Sequence, residues 1–492
     1  MTMARLSNRT LVGVPKTVAR PAYDRSTVVP GIVHLGLGAF HRAHQAVFVD
    51  DCLGTGDGRW GIVGASLRSA DTRDALAPQD GLYTLAVKDG AGERLRVIGS
   101  ILSLLVAPEN PAALLDALCD PGVKIVTLTV TEKAYMRNAA GDLDSAHADI
   151  AWDLANPAAP RTVHGFLAEA IARRRSAGSE PFTVLSCDNL PANGATLRRL
   201  LLAFAKLRDA GLASFVEREI AFPSSMVDRI VPATTVSDRE RISEALALED
   251  AWPVSTEPFL QWVIEDHFPS GRPAWEAFGV EMIRDVRPFE EMKLRLLNGA
   301  HSGIAYLGVL AGHETVAESF GDPAIRAFVS GLWGEVIPTL PRDAGLRPDA
   351  YVGDLTTRFD NPAIRHRTAQ IALDGSQKLP QRILATAFER AREGAAIDHL
   401  MLVPAAWIAA CEARGKALAA GLFSDPLDAE LATILSAQPS AQETVQRVFD
   451  AAGFTTGRPD APKLIERAAR HLGAIRTGGV SAALEALKGK QS

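Results

Sequence analysis

Cysteine is sparse. The 492-residue chain has four, Cys52, Cys119, Cys187 and Cys411, with no Cys-x-x-Cys spacing, which excludes a disulfide framework and fits a reducing cytoplasm. Long apolar runs are also missing. The most apolar stretch, from Leu400 to Cys411, is short and broken by Pro404, and the first residues lack the apolar core of a signal peptide, so no membrane span is expected. No long basic run is interleaved with aromatics, which make up only 6% of the chain, and the net charge is −6. Nucleic acid is therefore not expected as a partner, and Arg173, Arg174 and Arg175 read as a solvated helix face. What the chain does have is length and a 47% apolar fraction, enough for two or three domains with substantial cores.

The first part alternates strand and helix signals. Strands are expected at 32–37, 61–65, 82–87, 95–101, 124–130 and 183–186 and in the apolar run near Pro232, with helices at 41–52, 112–118, 163–177 and 194–210. That alternation predicts a mainly parallel sheet. Beyond Pro288 the texture turns to long Ala/Leu-rich amphipathic stretches, as in a helical domain. The expected fold is α/β, with a Rossmann-like dinucleotide-binding domain over 1–287 followed by a mostly α-helical domain over 288–492.

Two segments break the ordinary pattern. Near the N-terminus an apolar strand runs into Gly36-Leu37-Gly38-Ala39-Phe40-His41 and then a helical stretch. Glycines at such a turn let the backbone approach a pyrophosphate at a helix N-terminus. The third glycine of that fingerprint is missing, and His41 stands in its place. In the second segment Lys293, Asn298 and His301 interrupt an apolar helix face. At about 100° per residue, with Lys293 at zero, His301 falls near 80° and Asn298 near 140°, among Ile304, Leu297 and Leu294. A lysine in apolar surroundings is costly to keep charged, and burial moves its pKa toward the range of a general base. The competing reading is a surface lysine that snorkels to solvent.

Four further clusters accompany these two: Ser66-Leu67-Arg68-Ser69-Ala70-Asp71, Thr127 through Thr131-Glu132-Lys133, Ser186-Cys187-Asp188-Asn189, and Met226-Val227-Asp228-Arg229. Each alone reads as a polar strand end or turn. Together with Lys293-x4-Asn298-x2-His301, the chain resembles the polyol-specific long-chain dehydrogenases, the family of mannitol 2-dehydrogenase and fructuronate reductase, from about residue 21 through at least 380.

The resemblance implies an NAD-dependent oxidoreductase acting on a small sugar acid or polyol without a catalytic metal, in keeping with the lack of Cys/His ligand clusters. It implies Lys293 as general base, Asn189 and Asn298 as amides that hold the developing oxyanion, His301 as a substrate-orienting group, Asp228 as a substrate-side acid and Glu290 as a proton relay. Gly36, Gly38, Ala39 and Phe40 fall on the cofactor turn, with Thr131 and Glu132 as further cofactor contacts. Asp71 is the expected ribose ligand that selects NAD, with Arg68 as the group that would instead favour NADP. On the substrate side, an arginine of the mannitol enzymes falls on Gln370 here. The stretch from Gln370 to Arg382 looks more like the fructuronate-reductase branch, with Lys378 set to meet a carboxylate and Arg367 and Arg382 as rivals. The expected reaction interconverts D-mannonate and D-fructuronate. Mannitol/fructose chemistry and a non-catalytic nucleotide sensor are the alternatives, and oligomeric state stays open.

Overall fold

A computed structural model describes residues 3–138, 140–342, 345–417 and 424–488. The chain divides into two compact units, Met1–Arg287 and Pro288–Ser492.

The first unit is built on a five-stranded sheet of β1 (Pro30–Leu35), β2 (Gly61–Ser66), β3 (Ile101–Val106), β4 (Ile125–Leu128) and β5 (Thr183–Ser186). Its order is β3-β2-β1-β4-β5, with every neighbouring pair parallel. Chain order therefore reverses at β1, which places a topological switch point between β1 and β4. The strands are short apolar runs because both faces are covered. Val33 and Leu35 of β1 face Phe166, Leu197 and Phe204, whereas Ile32 faces Phe48, Trp262 and Trp275. The helix Val163–Ala177 on the first face starts where Thr162 accepts from the Gly165 N–H and stops at Gly178, whose φ is +66°, the left-handed cap that glycine adopts freely.

Several boundaries differ from the sequence reading. The strand expected at 95–101 is two strands, Gly92–Ile98 and β3, which part at Gly99-Ser100 and join different sheets. The apolar residues on either side of Gly99-Ser100 made the two strands read as one. Pro232 lies outside any strand; the strand there is Ser225–Asp228, antiparallel to Gln261–Glu265, and Pro232 lacks the N–H a ladder needs. The helix expected at 41–52 is two helices, Ala39–Ala43 and Gln45–Leu53, broken at His44, whose φ and ψ are −129° and −90°. The helix Asn193–Arg208 ends at the extended Asp209, whose side chain caps a separate helix, Ala210–Glu219.

The second unit is helical. Residues 299–308 of Gly299–Ala311 are all buried, the mark of a helix surrounded by protein rather than lying on its surface. A Cβ at Gly303 would lie 2.8 Å from the Phe328 ring, so glycine there sets how closely the neighbouring helix Pro323–Val336 approaches. Among the described residues no helix is long and apolar enough to cross a membrane.

Candidate active site

In the first unit, the cofactor candidates and the candidate amide Asn189 fall on one edge of the sheet. Gly36 and Gly38 follow β1, Arg68 and Asp71 follow β2, Thr131 and Glu132 follow β4, and Asn189 follows β5. These are carboxyl ends of parallel strands beside the switch point, where open α/β sheets bind ligands.

The turn after β1 requires glycine. Gly36 has φ +92°, and a Cβ there would stand 2.3 Å from the Thr129 carbonyl oxygen. Gly38 is exposed and precedes the helix Ala39–Ala43, and an added Cβ would meet only the Gly36 oxygen, at 3.8 Å. The result is a side-chain-free cradle that fits a dinucleotide phosphate. Ala39 and Phe40 open the short helix behind it.

Imidazoles hold this turn from beneath. His34 on β1 bonds to the Thr127 hydroxyl at 2.7 Å and the Thr129 hydroxyl at 2.9 Å, and Thr129 Oγ1 donates to the Gly36 carbonyl at 2.9 Å. His41 stacks on His34 with ring centroids 3.5 Å apart. The residue at the third glycine position thus fills the space beside β1 with a ring, and its helix ends after one turn. Burial lowers the His34 pKa to about 3 and holds His41 well below the usual imidazole range, so both rings are neutral.

A second brace was not assigned from sequence. Buried Asp188 accepts from the backbone N–H groups of Val130 and Thr131, at 2.8 and 2.9 Å, and from the Tyr135 hydroxyl at 2.8 Å. It ties the loop after β4, where Thr131 has φ +73°, to the turn carrying exposed Asn189. Its position beside Asn189 was the one available signal. Asp71 is exposed at the start of the helix Asp71–Leu76, Arg68 is exposed in the preceding turn, and Glu132 is exposed at the start of a 3-10 turn. Asp228 is buried at the end of its strand, opposite Gln261.

In the second unit, the helix Arg287–Met292 carries half-buried Glu290 and continues into a π-helix, Lys293–Asn298, and then Gly299–Ala311. A π turn closes from i to i+5, so Lys293 and Asn298, five apart, lie nearly one above the other instead of about 140° apart as in an α-helix. Both are half-buried. His301 follows on the next turn, buried, with its ring 4.9 Å from Phe359 and 5.2 Å from His366. Burial pushes its pKa well down, and the neighbouring basic groups His366, Arg358, Arg382 and Lys293 push the same way.

Of the three basic residues weighed for a carboxylate, Lys378 is engaged elsewhere: its amine donates to the Leu373 carbonyl at 2.6 Å. Burial and then Arg382 lower its pKa. Arg367 is exposed at the start of the four-residue helix Thr368–Ile371, which also carries exposed Gln370. Arg382 belongs to a second π-helix, Pro380–Leu384, and its Nη1 donates to the Ser302 hydroxyl at 3.3 Å. His366, Arg358 and Ser302 had no motif to mark them.

Residues 30–277 match the family model described as the mannitol dehydrogenase Rossmann domain, and residues 285–476 match the mannitol dehydrogenase C-terminal domain. The chain belongs to the mannitol dehydrogenase family. Members of this family act as dehydrogenases on CH–OH groups of polyols or sugar acids. The chain is 44% identical over 400 residues to a mannitol 2-dehydrogenase of Cereibacter sphaeroides, covering 80% of this chain and 84% of that one. It is 42% identical over 452 residues to the D-mannonate oxidoreductase of Escherichia coli (strain K12), covering 90% and 93%. Among solved structures, the Pseudomonas fluorescens mannitol 2-dehydrogenase ternary complex with NAD and D-mannitol superposes with a TM-score of 0.87 at 38% identity, covering 99% of this chain and 100% of that one. Similarity to the neutral-polyol and sugar-acid relatives is nearly equal.

The buried histidines make stability depend on pH. Burial lowers His34 to about 3 and His164 and His366 to about 4, whereas an unfolded-chain histidine titrates near ~6.5. Below that pH the unfolded chain binds more protons than the folded one, so stability falls as pH drops toward 4, by up to ~1.4 kcal/mol per pH unit per histidine. The melting temperature is expected to decline steadily from pH 6.5 to 4.5. A flat profile over that interval contradicts neutral burial of these rings.

Proposed function

We propose that this family member is an NAD-dependent oxidoreductase that interconverts D-mannonate and D-fructuronate. The observation that carries the acid-sugar reading is the charge around His301: beside the neutral His366 ring, the charged groups that act on it most, Arg358, Arg382 and Lys293, are all cations. A desolvated, positively charged surrounding favours a substrate with a carboxylate over a neutral polyol. The glycine cradle at Gly36 and Gly38 would receive the NAD pyrophosphate, and Asp71 the adenosine ribose. Ala39, Phe40, Thr131 and Glu132 would complete the contact. Bound NAD supplies the two-electron acceptor.

The chain's own residues handle the rest. Lys293 takes the proton from the substrate hydroxyl, and the Asn298 amide donates to that oxygen as its charge develops, while Asn189 keeps the oxyanion-holding role that the family resemblance implies. His301, held neutral, is available to orient a hydroxyl, and Asp228 fixes another. Glu290, one helical turn before Lys293, passes the proton to solvent. Sparse, scattered cysteines support a cytoplasmic setting.

The reading is tested by following NADH oxidation with D-fructuronate and with D-fructose. A higher kcat/KM is expected for the acid, and preference for fructose would transfer the chain to the mannitol branch. Lys293→Met keeps most of the stem volume and removes the amine. Turnover is expected to fall at least ~100-fold while NADH binding, measured by fluorescence titration, persists. Near-parental turnover would sink the general-base role. Asp71→Ala removes both a ribose ligand and the repulsion of a 2′-phosphate, so the preference for NADH over NADPH is expected to narrow. If the unmodified enzyme already works better with NADPH, Arg68 governs the site instead.

A further inference from the structure

We infer that Arg382, and not Lys378, receives the carboxylate of the substrate. The inference rests on the acid-sugar reading above and names the group that carries it out. Among the described residues the second unit has two π-helices, and they pack against each other: Lys293–Asn298, which holds the proposed base and amide, and Pro380–Leu384, which holds Arg382. Such widened turns are rare and concentrate at functional sites. Their approach depends on Gly299, where a Cβ would stand 3.2 Å from the Arg382 carbonyl oxygen.

The guanidinium is held against the first π-helix by a short relay. Arg382 Nη1 donates to Ser302 Oγ at 3.3 Å, and Ser302 Oγ donates to the Asn298 carbonyl at 3.1 Å. Arg382 is thus one hydroxyl away from the backbone of the amide proposed to hold the reacting oxygen. Its remaining donors are under-used. Nε is sealed from solvent without a hydrogen-bond partner, and among the described residues no carboxylate lies within ion-pair distance of the guanidinium. Tyr306 alone supplies an opposing charge effect, and that phenol is itself buried, its hydroxyl donating to the Ala372 carbonyl. A half-buried cation with a sealed Nε and no anionic partner is costly to maintain, and a bidentate carboxylate is the ligand whose geometry matches a guanidinium fork.

Lys378 differs on each point. Its amine already donates to the Leu373 carbonyl at 2.6 Å and reaches the Ile371 carbonyl at 3.5 Å, with the Asp374 carboxylate 4.0 Å away. It therefore holds the segment that leads into the second π-helix and already has an acid nearby.

The test compares the full-length parent with R382Q, R382K and K378M, using D-fructuronate and D-fructose with NADH. R382Q is expected to lower kcat/KM for the acid at least ~10-fold more than for fructose, mainly through KM, because a charge-assisted contact is lost in binding. R382K is expected to recover part of that loss, as a single point charge replaces a fork. K378M should leave the acid-to-neutral ratio within about twofold, as expected of a residue without substrate contact. A second readout is free of turnover: D-mannonate should raise the melting temperature of the parent more than D-mannitol does, and R382Q should remove that difference. NADH binding, measured in every variant, shows that the fold is intact. An acid preference that survives in R382Q overturns the assignment of Arg382 and leaves the acid-sugar reading standing. A parent without acid preference overturns that reading, and the carboxylate role of Arg382 with it.

Discussion

One widened helical turn sets the arrangement on which the proposed chemistry depends. In an unbroken α-helix Asn298 would point well away from Lys293; the π-helix Lys293–Asn298 brings the two nearly into line. The insertion loosens the local i to i+4 ladder, and the buried helix that follows, Gly299–Ala311, compensates by packing on all sides. His301 is carried by that rigid segment. Its environment of Phe359, His366 and nearby cations keeps the ring neutral, so its hydrogen-bonding role does not change across ordinary pH.

The first unit uses a comparable economy at the glycine turn. Gly36 must be glycine because of its backbone angle and because the Thr129 carbonyl occupies the space of a side chain. The same Thr129 hydroxyl holds the Gly36 carbonyl and the His34 ring, and His41 stacks beneath. Strand, turn and helix are thereby locked by neutral, buried contacts. Asp188 performs the equivalent service between the loop after β4 and the turn of Asn189.

The α/β order, the parallel sheet and the change to helices were readable because apolar periodicity and turn residues reflect burial directly. The clusters at the strand ends were readable as polar residues at apolar strand exits. What was hidden had a physical cause in each case. The division of Gly92–Ile98 from β3 falls at Gly99-Ser100, but that the two strands join different sheets is a long-range property. At the break, the His44 ring stacks on Phe40 and bonds to the Gln261 carbonyl, a long-range contact that no local pattern records. A π-helix has the same composition as an α-helix, so the angle between Lys293 and Asn298 was misjudged. Whether a basic residue faces substrate or backbone depends on tertiary packing, so the sequence, which put Lys378 ahead of Arg367 and Arg382, could not register the bond from Lys378 to the Leu373 carbonyl.

The central claim is that the amine of Lys293 moves the proton of the reaction. Chemical rescue tests it most directly: in Lys293→Ala, with NADH binding verified, turnover should be restored in part by small primary amines, saturably and with rates that rise with amine basicity. Turnover in Lys293→Ala that equals the parent without added amine would contradict the claim.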